Sequence, residues 1–187
     1  MAVPSVVVVV AARQVSKRLP NKVLEDMNGL PMLFRVLSRA SLIRQPVRLS
    51  VPEDTEWPAW VKDPVVPGPE NDLIKRHLLA SEGFEHVVRV TGDCPFLDPF
   101  AARCTIHTHL EGGYDLTIDE AEGRGVQVYT RALLELLDRD AQGSYGREHL
   151  DVWPLKWGYR QGLVVHRMKF SVDTQAELEL ARARVIL

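Results

Sequence analysis

The chain is short of the features that announce several classes of protein. It has two cysteines in 187 residues, Cys94 and Cys104. That is too few for a disulfide framework, and their spacing suits no zinc site. The longest unbroken apolar stretch, Val6 to Ala12, is 7 residues, against about 20 for a spanning helix. With 23 Lys+Arg and 25 Asp+Glu the net charge is −2, so no global basic field marks a nucleic-acid binder. Repeats and low-complexity tracts are missing, as are the G-x-G-x-x-G and G-x-x-x-x-G-K-[ST] fingerprints. The usual dinucleotide and ATPase readings therefore fail. No charged segment followed by a cleavable apolar stretch opens the sequence, so a cytoplasmic protein without membrane or nucleic-acid partners is expected.

What is present is a globular composition, 45% hydrophobic and 26% charged. The length suits a single domain over residues 1–187. Ser5 to Ala12 reads SVVVVVAA. A continuous β-branched run without polar alternation predicts a central strand buried on both faces of a parallel sheet. Pro31 to Ser41 reads as a helix with Leu33, Val36, Leu37 and Ala40 on its apolar stripe. Val47–Val51 reads as a second strand. Five prolines between 52 and 70 predict loop, with a short Val65–Val66 strand. Trp57 and Trp60 in that loop either anchor it to the core or cover a pocket.

Asn71 or Asp72 caps a helix running to about Glu82, and His86–Thr91 is a further buried strand. Asp98 caps a helix that starts at Pro99. Strands are expected at Tyr114–Ile118 and Gly125–Tyr129, and Thr130 caps a helix with Leu133, Leu134 and Leu137. Arg147–Tyr159 reads as a helix interrupted by Pro154, Leu163–Val172 as a strand pair or one bent strand. Thr174 and Glu177 form a capping box. Alternating strands and helices predict an α/β sandwich with a mainly parallel sheet.

In such sheets ligands sit beyond the carboxyl ends of the strands. Three segments place polar groups there. The first, residues 13–22, carries Arg13, Lys17, Arg18 and Lys22 without an acid. It is either a solvated basic loop or a polyphosphate cradle, and its place after a buried strand favours the cradle. In the second, Asp93 follows a buried strand and Gly92, as a turn residue or a hard-cation ligand. In the third, Asp173 precedes a helix whose capping position Thr174 already fills. Two strand-end aspartates opposite a basic loop make a magnesium–nucleotide site plausible. No nucleophile–base triad accompanies them, and Cys94 has no feature of a nucleophile.

Together these segments resemble the cytidylyltransferases that activate acidic sugars, the CMP-ketodeoxyoctonate and CMP-acylneuraminate synthetases, with wording nearest the SpsF-like branch. Their A-R-x-x-S-x-R-L-P-x-K loop is matched by Ala12, Arg13, Ser16, Arg18, Leu19, Pro20 and Lys22. The match continues through residues 28–33, 71–76 and 88–95, then Arg147-Glu148-His149 and Val172-Asp173-Thr174. The loop glycine usual in the family is Asn21, which fits if φ is positive there.

The resemblance implies a three-layer Rossmann-like, GT-A-like nucleotidyltransferase. Ala11, Ala12, Arg13, Ser16, Arg18 and Lys22 would hold CTP, while Asp93 and Asp173 would bind Mg2+. Arg13, Lys22, Asp93 and Asp173 would form the catalytic set. Asp72 and Arg76 would lie by the nucleotide. Arg76, Gln127 and His149 are the acceptor-side candidates, each with a structural alternative: a surface arginine, ordinary strand packing, a satisfied histidine. The implied reaction passes CMP from CTP to a small acidic acceptor, a sugar acid or a phosphonate such as phosphonoformate, releasing pyrophosphate. A homodimer is expected by analogy. A GT-A glycosyltransferase and a non-catalytic nucleotide-binding module are the competing readings. The first is weakened because the strand end reads TGDCP instead of carrying a D-x-D pair.

Overall fold

A computed structural model describes residues 4–16, 18–119, 125–159, 161–164 and 172–184. The valine run forms β1 (Val6–Ala11), buried at all six positions. It lies in the middle of a seven-stranded sheet of order β3-β2-β1-β4-β6-β5-β7. On one side β1 pairs in parallel with β2 (Val47–Pro52), on the other with β4 (His86–Thr91). β3 (Val65–Gly68) adds to β2 in parallel. It carries Pro67 at the sheet's edge, where a missing N–H is tolerated. β6 (Gln127–Thr130) runs antiparallel to both β4 and β5 (Leu116–Asp119), and β7 (Gln161–Val164) returns parallel to β5. The expected mainly parallel α/β sheet is borne out.

Alternation along β1 divides the core into two layers. Val6, Val8 and Val10 pack with Leu33, Val36, Leu37 and Ala40 of α1 (Met32–Ser41) and with Ala102 and Ile106 of α3 (Pro99–Gly112). Val7 and Val9 pack with Ile74 and Leu78 of α2 (Leu73–Ala80) and with Leu133, Leu134 and Leu137 of α4 (Arg131–Asp140). Each buried valine contributes about 1.5–3 kcal/mol from removal of apolar surface from water. A helical reading of this run would have lost both packing faces.

The helix starts follow their sequence signals. Asp72 Oδ1 accepts from Lys75 N at 3.0 Å, Asp98 Oδ1 from Phe100 N at 2.9 Å, and Thr130 Oγ1 from Leu133 N at 3.2 Å. Trp57 and Trp60 pack on the α1-side core, and Trp60 meets Phe34 edge-on at 5.7 Å. They anchor the proline-rich loop.

One expectation is corrected. Residues 143–157 form two short helices, α5 (Gly143–Glu148) and α6 (Val152–Trp157). The break falls at 149–151, and Pro154 sits in the first turn of α6, where its missing N–H breaks no helical bond. Gly146 lies under the Trp153 indole so closely that any Cβ would clash. The strand expected to Val172 is described only as far as Val164, and 165–171 lie outside the described residues. The final helix, α7 (Gln175–Arg184), opens on the predicted capping box: Thr174 Oγ1 accepts from Glu177 N at 3.3 Å, and Glu177 Oε2 accepts from Thr174 N at 2.8 Å. Among the described residues no helix is long and apolar enough to cross a membrane.

Candidate active site

The carboxyl ends of β1 and β4 lie side by side, and their loops touch. Gly92 N donates to Ala11 O at 2.8 Å, and a Cβ on Gly92 would stand 3.0 Å from the Ala12 Cβ and 3.2 Å from Ala11 O. Glycine is what permits this approach. The loop that leaves β1 folds back on itself. Asn21 N donates to Gln14 O at 2.8 Å, and Asn21 takes a left-handed φ of 55°. That is the positive φ expected at this position of the loop. A 3-10 turn over Lys22–Leu24 follows. Leu19 is buried with Met27, Met32, Val172, Leu178 and Ala181, which fastens the loop to α7.

These constraints deliver Lys22 between the two strand-end aspartates. Its ammonium bonds Asp93 Oδ2 and Asp173 Oδ1, the latter at 2.9 Å, and donates to Val172 O at 3.4 Å. The lysine side chain is 11% exposed. Burial lowers its basicity, but the two carboxylates outweigh burial and hold the ammonium above the usual lysine value. Arg18 reaches Asp173 Oδ1 at 3.0 Å from a largely exposed position. Arg13 pairs with Glu148 on α5 at 3.5 Å. Ser16 Oγ accepts from Leu19 N at 3.5 Å, within the turn.

The geometry suits a hard divalent cation. Two acceptor-only carboxylates converge on a single cationic atom. One or two protein carboxylates plus substrate phosphates is the usual protein share of a magnesium site. No cluster of three or more His, Cys, Asp or Glu occurs among the described residues, so an all-protein cage is not what is offered.

Ala11 lies in the β1 ladder, and Ala12 N donates to Ser50 O at 3.0 Å. Their contribution is therefore small size, not spare amides. Lys17 lies outside the described residues. Asp72 caps α2 and is held by Arg147, whose Nε donates to it at 2.7 Å; Arg147 also grips Asp138 at 2.5 Å. This network joins α2, α4 and α5 and commits the Asp72 carboxylate. Arg76 is 4% exposed, so the surface-arginine alternative is overturned. Burial first, and neighbouring Arg13 second, draw its pKa down to about 10. Gln127 faces Arg89 across the β4–β6 pairing and accepts from Arg89 Nη1 at 2.7 Å. His149 is exposed just after α5, with its ring 4.4 Å from that of Tyr145. Cys94 is buried and its thiol is pushed up to about 12, chiefly by burial, as befits a packing residue.

A family model described as cytidylyltransferase matches residues 7–51, the β1–loop–α1–β2 segment just described. A cytidylyltransferase from Leptospira borgpetersenii serovar Hardjo-bovis superposes with a TM-score of 0.87 at 23% identity, over 96% of this chain and 86% of that one. A CMP:2-keto-3-deoxy-manno-octonic acid synthetase complexed with CTP gives 0.78 at 17% identity, over 96% and 97%. A Mycobacterium tuberculosis protein, Rv0371c, in complex with manganese gives 0.71 at 19% identity, over 98% and 100%. None of these matches singles out the SpsF-like branch. The expected family resemblance is nonetheless borne out: residues 7–51 carry the cytidylyltransferase signature, on a chain that has the nucleotidyltransferase fold.

Proposed function

We propose that this protein transfers CMP from CTP to a small acidic acceptor and releases pyrophosphate. The observation that carries the reading is the placement of Lys22 between Asp93 and Asp173, beside a loop that presents Arg13 and Arg18. The CTP complex of the structurally similar synthetase and the family match over this loop support it.

In this reading Arg13, Ser16, Arg18 and Lys22 bind the triphosphate. An acceptor oxygen attacks the α-phosphorus, the new P–O bond forms, and the bond to the bridging oxygen of the pyrophosphate breaks. The acceptor's proton passes to solvent. Such chemistry needs charge neutralisation and in-line positioning, with no covalent enzyme intermediate. Asp93 and Asp173 would hold Mg2+, which when bound supplies positive charge against the phosphates. A similar protein was obtained with manganese, which supports a divalent ion at this fold. Sugar acids and small phosphonates are the two acceptor classes the reading allows.

The test is magnesium-dependent pyrophosphate release with each of the four nucleoside triphosphates against a panel of both acceptor classes. Release with CTP and one acceptor class is expected. Hydrolysis of a sugar nucleotide with none of CTP would favour a glycosyltransferase. CTP binding with silence across the panel would favour a non-catalytic module.

A further inference from the structure

The acidic pair at the strand ends already grips a cation. Lys22 Nζ bonds Asp93 Oδ2 and Asp173 Oδ1, the latter at 2.9 Å. Asp93 turns its other oxygen, Oδ1, towards Cys94 Sγ at 3.8 Å, so Oδ2 is the atom it offers to the site. Asp173 Oδ1 also takes Arg18 Nη2 at 3.0 Å. A magnesium ion lies about 2.0–2.1 Å from its oxygen ligands. Bound to Asp93 Oδ2 and Asp173 Oδ1 together, it would stand where the ammonium stands. Those two oxygens serve one cation or the other.

Charge leads to the same exclusion. Lys22 and Arg18 already offset the two carboxylates. A divalent ion added without a departure would leave two positive charges in excess in a part-buried place, where repulsion is only partly screened. The lysine therefore has to leave as the ion enters, and its local structure permits this. Lys22 opens the 3-10 turn, which is held by Leu24 N on Asn21 O at 2.8 Å and by Glu25 N on Lys22 O at 3.2 Å. These bonds fix the backbone, while the four-carbon stem can swing. Departure breaks both ion pairs and the bond to Val172 O at 3.4 Å. The ammonium needs another anion to go to, and a triphosphate on the loop of Arg13, Ser16 and Arg18 is one.

We propose that the Lys22 ammonium and a divalent cation compete for the Asp93–Asp173 pair, and that the triphosphate draws the lysine away, so that ion and nucleotide bind cooperatively. The inference rests on the transferase reading above and adds an order of events to it. The nucleotide and the ion each displace the same lysine contact, so each favours the other, and linkage makes the gain reciprocal. The ion by itself is held off the carboxylates, and the nucleotide admits it.

The test uses Mn2+ as the probe, with its binding to the protein followed by water-proton relaxation, in nucleotide-free protein and in protein saturated with CTP. Without nucleotide, Lys22→Met should bind Mn2+ at least about tenfold tighter than wild type, within the usual range of such couplings. Adding Asp93→Asn to Lys22→Met should abolish that gain. Arg18→Met, which removes a largely exposed cation from the same Asp173, should gain no more than about threefold. The tightening of Mn2+ binding on saturation with CTP should be at least about tenfold larger in wild type than in Lys22→Met. If Lys22→Met fails to fold, Lys22→Gln carries the same comparisons, keeping a polar side chain without the charge. Nucleotide-free Mn2+ affinity equal to or weaker than wild type in the folded Lys22 variant overturns the competition. So does a gain that survives Asp93→Asn, or an equal gain in Arg18→Met, since the effect would then be one of general charge. An equal response to CTP in wild type and the Lys22 variant overturns the cooperativity. Competition observed as expected, but without pyrophosphate release across the acceptor panel, would count against the transferase reading alone.

Discussion

The backbone N–H of Val172 donates to the carbonyl of Asp93 at 3.2 Å. The two segments that carry the acidic pair are thus fastened main chain to main chain. The carboxylates of Asp93 and Asp173 are held on one lysine by the fold itself, not by chance rotamers. Preorganisation of this kind is what electrostatic catalysis requires.

Lys22→Met removes the ammonium from between the two carboxylates and from the proposed triphosphate site. Charge-assisted hydrogen bonds contribute about 1.5–3 kcal/mol, so affinity for CTP should fall about ten- to a hundredfold. Calorimetric titration of CTP checks this. Unchanged affinity would remove Lys22 from the nucleotide site.

Gly92→Ala places a methyl group 3.0 Å from the Ala12 Cβ and 3.2 Å from Ala11 O. Backbone cannot yield as a side-chain tip does, so a loss of about 1–3 kcal/mol is expected. Urea denaturation should show a lower midpoint with an unchanged slope.

Much of this arrangement is legible in the sequence, and the illegible part has a physical reason. The valine run fixes the central strand because no other element buries five consecutive β-branched residues on two faces. The caps at Asp72, Asp98, Thr130 and Thr174 are local and were readable as such. The positive φ at Asn21 was an expectation from the resemblance, whose loop pattern has glycine there. Bonds between distant segments were not readable: Arg147 to Asp72 and Asp138, Arg13 to Glu148, and Lys22 to both aspartates. The surface alternative stays open for Arg76 in the sequence, because one charged side chain on an amphipathic helix says little about which face it takes, and its burial settles that alternative alone. The partner of Gln127 was equally unreadable, because Arg89 sits on β4 and meets it only through the β4–β6 register.

Acid should weaken the fold well before its carboxylates titrate. Burial pushes His77 down to about 3 and His109 down to about 4, and lowers His86, whose Nδ1 lies 3.1 Å from His109 Nε2. Below about pH 6.5 the unfolded chain takes up protons that the folded chain refuses, so stability falls as pH falls towards 4. A drop in melting temperature of about 5–10 °C between pH 7 and pH 5 is expected. Replacing His109 with Asn should flatten the slope. An unchanged melting temperature over that range would contradict the buried neutral assignment.

The two thiols should behave differently. Cys94 is buried with its pKa pushed up to about 12, while Cys104 is exposed on α3. A thiol reagent should modify one equivalent per chain under native conditions and two after denaturation, and Cys104→Ser should abolish the native reaction. Alkylation of Cys104 should leave pyrophosphate release unchanged.

In the proposed reaction Asp93 and Asp173 together serve a divalent ion during transfer of CMP from CTP. The most direct measurement is the magnesium dependence of pyrophosphate release from CTP in wild type, Asp93→Asn and Asp173→Asn, with folding checked by circular dichroism. Each amide keeps the size of its carboxylate and loses the charge. Turnover should fall at least about a hundredfold in both variants, as losses of several kcal/mol of charge stabilisation require. Turnover at the wild-type level in a folded Asp93→Asn or Asp173→Asn protein would contradict the account.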